Sequence, residues 1–176
     1  MKTKIKFRSG FTLIEILVVV ALMGALFIGI LASIDPLEQL KKGTDTSRRN
    51  STAEIYNGMV RYYSVKGSFP WAADLTSAVA SAGNMTAAGT GYITQTISAG
   101  ELKPEFITLA KSNLAKIYLT STADALGNRQ NLAVCFLPDS KSFRLDLNSK
   151  YGINGAYSSG CLSETANGTA CYWCVK

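Results

Sequence analysis

Few residues in this chain have the type and spacing to do chemistry. Glu15 is the only charged residue between positions 11 and 34. A carboxylate in a bilayer costs about 2.5–3.5 kcal/mol at mid-membrane and less near the interface, so an acid there either snorkels to the surface or has a cationic partner. Cutting the Gly10–Phe11 bond would create such a partner, an α-amine on Phe11 with a reference pKa of about 7.7–8.0. The other reactive set is Cys135, Cys161, Cys171 and Cys174. An even count in an extracytoplasmic domain reads first as two disulfides, with the C-x-x-C of Cys171 and Cys174 raising zinc and redox as rivals. Cys135 and Cys161 do not supply the second C-x-x-C of a four-cysteine zinc site, and Cys171 does not open a helix after a strand. Disulfides are therefore expected, with no metal and no cofactor. The sequence contains no His. Serine triads and Cys–His dyads lack their usual base, and catalytic zinc its usual ligand, so no enzyme is expected.

The element that must position Glu15 is the apolar run over residues 11–34. At ~1.5 Å per residue it spans about 36 Å as a helix, enough for a hydrocarbon core of about 30 Å. Lys2, Lys4, Lys6 and Arg8 precede it with no acid among them. That asymmetry keeps its start in the cytoplasm and puts everything after residue 34 outside. An ordinary secretory signal would have a shorter apolar core and a small-residue cleavage site beyond it; Ala32-Ser33-Ile34-Asp35-Pro36 is a poor version.

The basic leader, Gly10-Phe11-Thr12-Leu13-Ile14-Glu15 and the apolar run together resemble the N-terminus of type IV pilins and of the pseudopilins of type II secretion and DNA uptake. The resemblance is strong over about the first 35 residues. It implies that a prepilin peptidase, a membrane aspartyl enzyme, cuts after Gly10 and that the new amine on Phe11 is methylated. It also implies that Glu15 pairs with the N-terminal amine of a neighbouring subunit during self-assembly into a helical filament, driven by an assembly platform and its ATPase. The subunit would wait in the cytoplasmic membrane, head outside, and end in a filament at the cell surface.

Residues 1–10 are thus expected as a cleaved leader, 11–66 as a long helix with 11–34 in the membrane, and 67–176 as the head. Asp35-Pro36-Leu37-Glu38 reads both as a break in that helix and as a fresh helix start, with Asp35 as cap and Pro36 in the first turn. Gly24 and Gly29 weaken the preceding helix. With Pro36 they bound a segment that either packs through its small residues or melts and stretches in the filament, as the resemblance implies. Residues 41–54 are almost wholly polar, with Lys41–Asp45 and Asp45–Arg49 spaced to pair on one face. Apolar periodicity resumes with Ile55, Met59 and Tyr62 beside Tyr56, Val60 and Tyr63, ending near Gly67. Residues 62–71, an aromatic stretch followed by Gly67-x-Phe69-Pro70 spacing, resemble the pilin exit from the long helix.

In the head, short helices are expected over residues 75–82 and 106–111, a loop over 84–91, a strand over 115–119 and a turn over 124–128. Residues 100–104 resemble the Gly-x-Leu-x-x-Pro segment before the pilin sheet. The clearest hairpin alternates Leu132, Val134 and Phe136 with Phe143, Leu145 and Leu147 around a turn at 138–141. The expected class is α+β, pilin-like: one long helix whose outer half packs on a small antiparallel sheet, with a disulfide-bounded C-terminal region. Cys161 is expected to pair with Cys171 or Cys174, and Cys135 with the other. The tail over 151–176 has little periodicity; Tyr172, Trp173 and Lys176 are expected as packing rather than an adhesive or DNA-contacting patch. The leader holds four of the 18 basic residues, leaving 14 against 12 acidic ones, which does not indicate a nucleic-acid surface. Residues 148–159 contain no Asp or Glu, so calcium is not expected.

Overall fold

The computed structural model describes residues 10–33, 35–71, 79–80, 91–122, 131–162 and 171–176. The chain divides into two units, Met1–Leu37 and Glu38–Lys176. The first contains α1, Leu13–Ser33, 21 residues with exposed apolar side chains along its length. Its stretch Leu13–Leu31 is long and apolar enough to cross a membrane by length and composition. The helix passes unbroken through Gly24 and Gly29. It ends at Ser33, whose hydroxyl donates to the Ile30 carbonyl at 2.8 Å. A second helix, α2, opens at Pro36 and runs to Lys66. Asp35 caps it, its Oδ1 accepting from the Leu37 amide at 3.2 Å, and Pro36 occupies the first turn, where its missing N–H costs no helical bond.

The head is built on a four-stranded antiparallel sheet in the order β1 (Val79–Ala80), β2 (Ile117–Thr122), β3 (Asn131–Phe136), β4 (Trp173–Val175). Short helices α3 (Tyr92–Ser98) and α4 (Phe106–Leu114) precede β2, and a single turn, α5 (Lys141–Arg144), follows β3. Alternation along β3 divides its side chains between two clusters. Leu132, Val134 and Phe136 join Ile117, Leu119, Trp71, Ile93 and Trp173 over Ile55 and Met59 of α2. Ala133 and Cys135 turn the other way, with Tyr172, Cys174 and partly buried Tyr118 and Tyr151. Gly155 lies on this second face: a Cβ there would sit 3.0 Å from that of Ala133, and its φ of 71° also excludes side chains.

The buried stripe of α2 is Asp45, Arg48, Thr52, Ile55, Gly58 and Met59, each a helical step from the next or beside it. Its apolar part is narrower than periodicity suggests: Val60 is exposed, and Tyr56 and Tyr63 are only partly buried. At Gly58 the head packs onto the helix backbone, since a Cβ there would lie 2.7 Å from Leu102 Cγ. The helix stops at Gly67, which takes φ 71° and donates to the Tyr63 carbonyl at 2.8 Å, a left-handed cap.

The polar half of α2 is not a solvated face. Asp45 is fully buried and does not pair with Lys41 or Arg49 as spacing suggests. Its carboxylate accepts from the Asp139 amide at 3.0 and 3.1 Å, and from the Ser140 amide and hydroxyl at 2.7 Å each. Arg48 Nη1 donates to Asp45 at 3.0 Å and to Asp139 at 2.6 Å. Lys116 Nζ reaches Asp139 at 2.9 Å. Burial pushes the Asp139 carboxyl up, but hydrogen bonds and charge from Lys116 and Arg48 outweigh it and hold the group below the usual carboxylate range.

That network overturns the expected hairpin. Asp45 fixes Ser140, whose hydroxyl then accepts from the Phe143 amide at 3.4 Å and caps α5, so the chain turns helical where alternation suggested a strand. Phe143 is buried, but Leu145 and Leu147 are exposed. The place beside β3 belongs instead to β4, with Val134 opposite Val175 and Phe136 opposite Trp173. The tail therefore buries more than its composition suggests: Tyr172, Trp173 and Cys174 are all buried. Tyr172 stands edge-on to Tyr118 at 5.7 Å.

The strand placed at 115–119 begins at Ile117, and the helix placed at 106–111 extends to Leu114. Of the helix expected over 75–82, Val79 and Ala80 are strand, paired with Thr120 and Leu119; the pull of the β2 edge overrides weak local propensity. The rest of that segment, most of the 84–91 loop and the 124–128 turn lie outside the described residues. Helix α3 carried no recognised sequence signal.

Candidate functional site

The candidate site is the start of α1. Gly10, Phe11 and Thr12 precede the first helical residue, Leu13, and are exposed. The Gly10–Phe11 bond thus lies in non-helical backbone, and among the described residues nothing beyond its chain neighbours lies within 4 Å of where a Gly10 Cβ would be. A peptidase needs an accessible segment, and Gly10 and Phe11 are both exposed. Lys2, Lys4, Lys6 and Arg8 lie outside the described residues.

Glu15 sits on the first turn, three residues after Thr12, and the two bond reciprocally. The Thr12 hydroxyl accepts from the Glu15 amide at 3.3 Å. The Glu15 carboxylate accepts from the Thr12 amide at 3.3 Å and from its hydroxyl at 3.4 Å. This is a capping box: the Glu15 carboxylate gives the Thr12 amide an acceptor, the Thr12 hydroxyl adds a second acceptor for the Glu15 amide, which also meets the Thr12 carbonyl at 3.1 Å, and the acid sits at the positive end of the helix dipole. In the single subunit Glu15 therefore has a local occupation that needs no neighbour. The Thr-x-x-Glu spacing at 12–15 was the available signal for Thr12, which a reading centred on the acid alone overlooks.

The remaining candidate residues are elsewhere. Gly24 and Gly29 are interior to α1, where neither would bring an added Cβ within 4 Å of another group, and Pro36 begins α2. The cysteines form two disulfides in the other unit. Cys135–Cys174 joins directly paired residues of β3 and β4, with Cα atoms 4.1 Å apart. Cys161–Cys171 closes a short loop ahead of β4, at a Cα separation of 5.6 Å. All four sulfurs are thereby used. Among the described residues there is no group of three or more His, Cys, Asp or Glu placed to hold a metal.

Residues 5–31 match the family model of the prokaryotic N-terminal methylation motif. No curated protein and no solved structure matches the chain. The matched segment contains the exposed Gly10–Phe11 bond, the Thr12–Glu15 box and nearly all of α1. The motif implies processing by a prepilin peptidase and assembly into a filament. The chain thus carries the prepilin-type leader of type IV pilins and pseudopilins, followed by a head whose α+β fold is consistent with a pilin-like one.

Proposed function

We propose that the protein is a non-catalytic structural subunit of a type IV pilus. The observation that carries this reading is the first turn of α1: an exposed bond after a small residue, then one acid, then a helix whose described apolar side chains are exposed. Such a helix is stable in lipid before assembly and in a bundle of like helices after it. Residues 1–10 are the part removed, residues 11–34 the membrane segment and residues 67–176 the head outside the cytoplasmic membrane. Phe11 receives the methyl group. Glu15 exchanges its Thr12 partner for the Phe11 amine of a neighbouring subunit as the platform and its ATPase draw subunits into the filament. The segment from Gly24 to Pro36 is the stretch that extends there.

Pseudopilins carry the same leader and are the second reading. The loop closed by Cys161–Cys171 supports the pilus, because the family resemblance places such a disulfide-bounded region on the filament's exposed side. Shearing whole cells separates the two. A pilus subunit is expected in the sheared extracellular filaments at native expression. Retention in the cell envelope, with the assembly machinery intact, would assign the chain to a pseudopilus.

A further inference from the structure

The long helix α2 meets the head through two joints of opposite chemistry. From Thr52 to Met59 the joint is mainly apolar: Ile55 and Met59 are fully buried, and Gly58 lets Leu102 onto the helix backbone. From Glu38 to Ser51 the contacts with the head are made by polar and charged groups: hydrogen bonds, ion pairs and the Arg49 guanidinium 5.8 Å over the Trp173 ring. Glu38 accepts from the Lys141 amide. Asp45 holds Asp139 and Ser140, Arg48 bridges Asp45 and Asp139, and the Asn113 amide donates to the Ser47 and Ser51 hydroxyls at 3.0 and 3.3 Å. The apolar residue of this stretch, Leu40, is 70% exposed and contributes nothing to the joint.

Two further features make the polar joint the weaker one. Desolvation of buried ion pairs largely cancels their attraction, so their net contribution is small even when geometry is good. Geometry here is incomplete: Arg48 Nε is buried without a hydrogen-bond partner, which costs free energy. The buried part of the joint is also localised on the head side, with Asn113 and the Trp173 ring as peripheral contacts. Glu38, Asp45 and Arg48 all engage residues 139–141, the link between β3 and α5, and not the sheet itself. Opening it would break no strand pairing and no disulfide, and would leave the helical hydrogen bonds of α2 intact. The charged groups it exposes are complementary, so reclosure is guided.

We propose that this polar joint is a reversible clasp: residues 38–51 of α2 release the 138–141 link as one unit while Ile55 and Met59 stay docked in the core. The consequence is a head that tolerates displacement of the first half of α2 without unfolding. The proposal concerns the single subunit and holds whichever filament it enters.

Hydrogen–deuterium exchange followed by mass spectrometry tests it on the full-length protein in detergent micelles. In the wild type, peptides covering 138–144 are expected to exchange faster than those covering 131–136 and 55–66. In Asp45→Asn the 138–144 peptides should accelerate at least about tenfold, a change of about 1.4 kcal/mol in the opening equilibrium, with 131–136 and 55–66 unchanged. Acceleration spreading equally into 131–136 and 55–66 would mean one cooperative interface and overturn the clasp. So would an unchanged rate at 138–144. If Asp45→Asn does not accumulate as folded protein, Asp139→Asn probes the same split from the more exposed end of the network, with the same two contradicting outcomes.

Discussion

Glu15→Ala is expected to insert and be cleaved normally, yet to lower the yield of sheared filaments by about 100-fold or more. In the proposed filament the membrane helices bundle together, and Glu15 faces a neighbour's Phe11 amine away from lipid and water. Stripping one partner from a buried pair costs about 3–5 kcal/mol, and each 1.4 kcal/mol or so is tenfold. Alanine also removes the capping box with Thr12, which would confuse the result. Glu15→Gln separates the two roles. Glutamine can serve at the same capping position as glutamate, so the helix start is preserved while the charge is lost. If the charge serves assembly, Gln behaves like Ala. Wild-type yield from Gln together with loss from Ala would instead make Glu15 a helix cap with no role between subunits.

The second large effect is on the head. Cys135–Cys174 closes a separation of 39 residues and Cys161–Cys171 one of 10. On loop-closure entropy these contribute about 4 and about 3 kcal/mol respectively. Position amplifies the difference. The strand β4 is only Trp173–Val175, and its three registered pairs with β3 depend on the Cys135–Cys174 bridge to hold it there. Without it Trp173 leaves Phe136, which it meets at 5.4 Å, and one side of the main core opens. The double substitution Cys135→Ala with Cys174→Ala is expected to lower the thermal midpoint of the head by about 10–15 °C, at a few degrees per kcal/mol for a unit of this size. Cys161→Ala with Cys171→Ala should cost less and leave the sheet formed. Calorimetry of both variants orders them; equal or reversed losses would show that β4 is held by its packing and not by the bridge.

The difference between what was legible in the sequence and what was not follows the range of the interactions. The apolar run, the Asp35–Pro36 start and the Gly67 stop are local patterns, and the structure has α1, α2 and their boundaries where those patterns lie. Alternation found β3. It failed one strand later because Phe143, Leu145 and Leu147 alternate equally well in a turn held by a distant acid. Asp45 reaches Ser140 across 95 positions, and no local period records that contact. For the same reason helical spacing pairs Asp45 with Lys41 and Arg49, whereas its partners are Arg48, Asp139 and Ser140, and Asp45 and Arg48 are among the most buried residues of α2. In the tail, Tyr172 and Trp173 are expected as packing and are buried, but its sparse periodicity does not record the strand Trp173–Val175 or the Tyr151–Tyr172 bridge that places them. At the candidate site the acid was legible from its isolation, whereas Thr12 needed the spacing of a cap to be noticed.

The account rests on the leader being removed at Gly10–Phe11, and intact-mass and N-terminal peptide analysis of the protein from its native membrane or filament tests that directly. The predicted result is a chain beginning at Phe11 with one added methyl group on its α-amine. A chain that retains residues 1–10 in the assembled state, or one that begins beyond Ala32, would contradict it and return the N-terminal segment to an ordinary anchor or secretory signal.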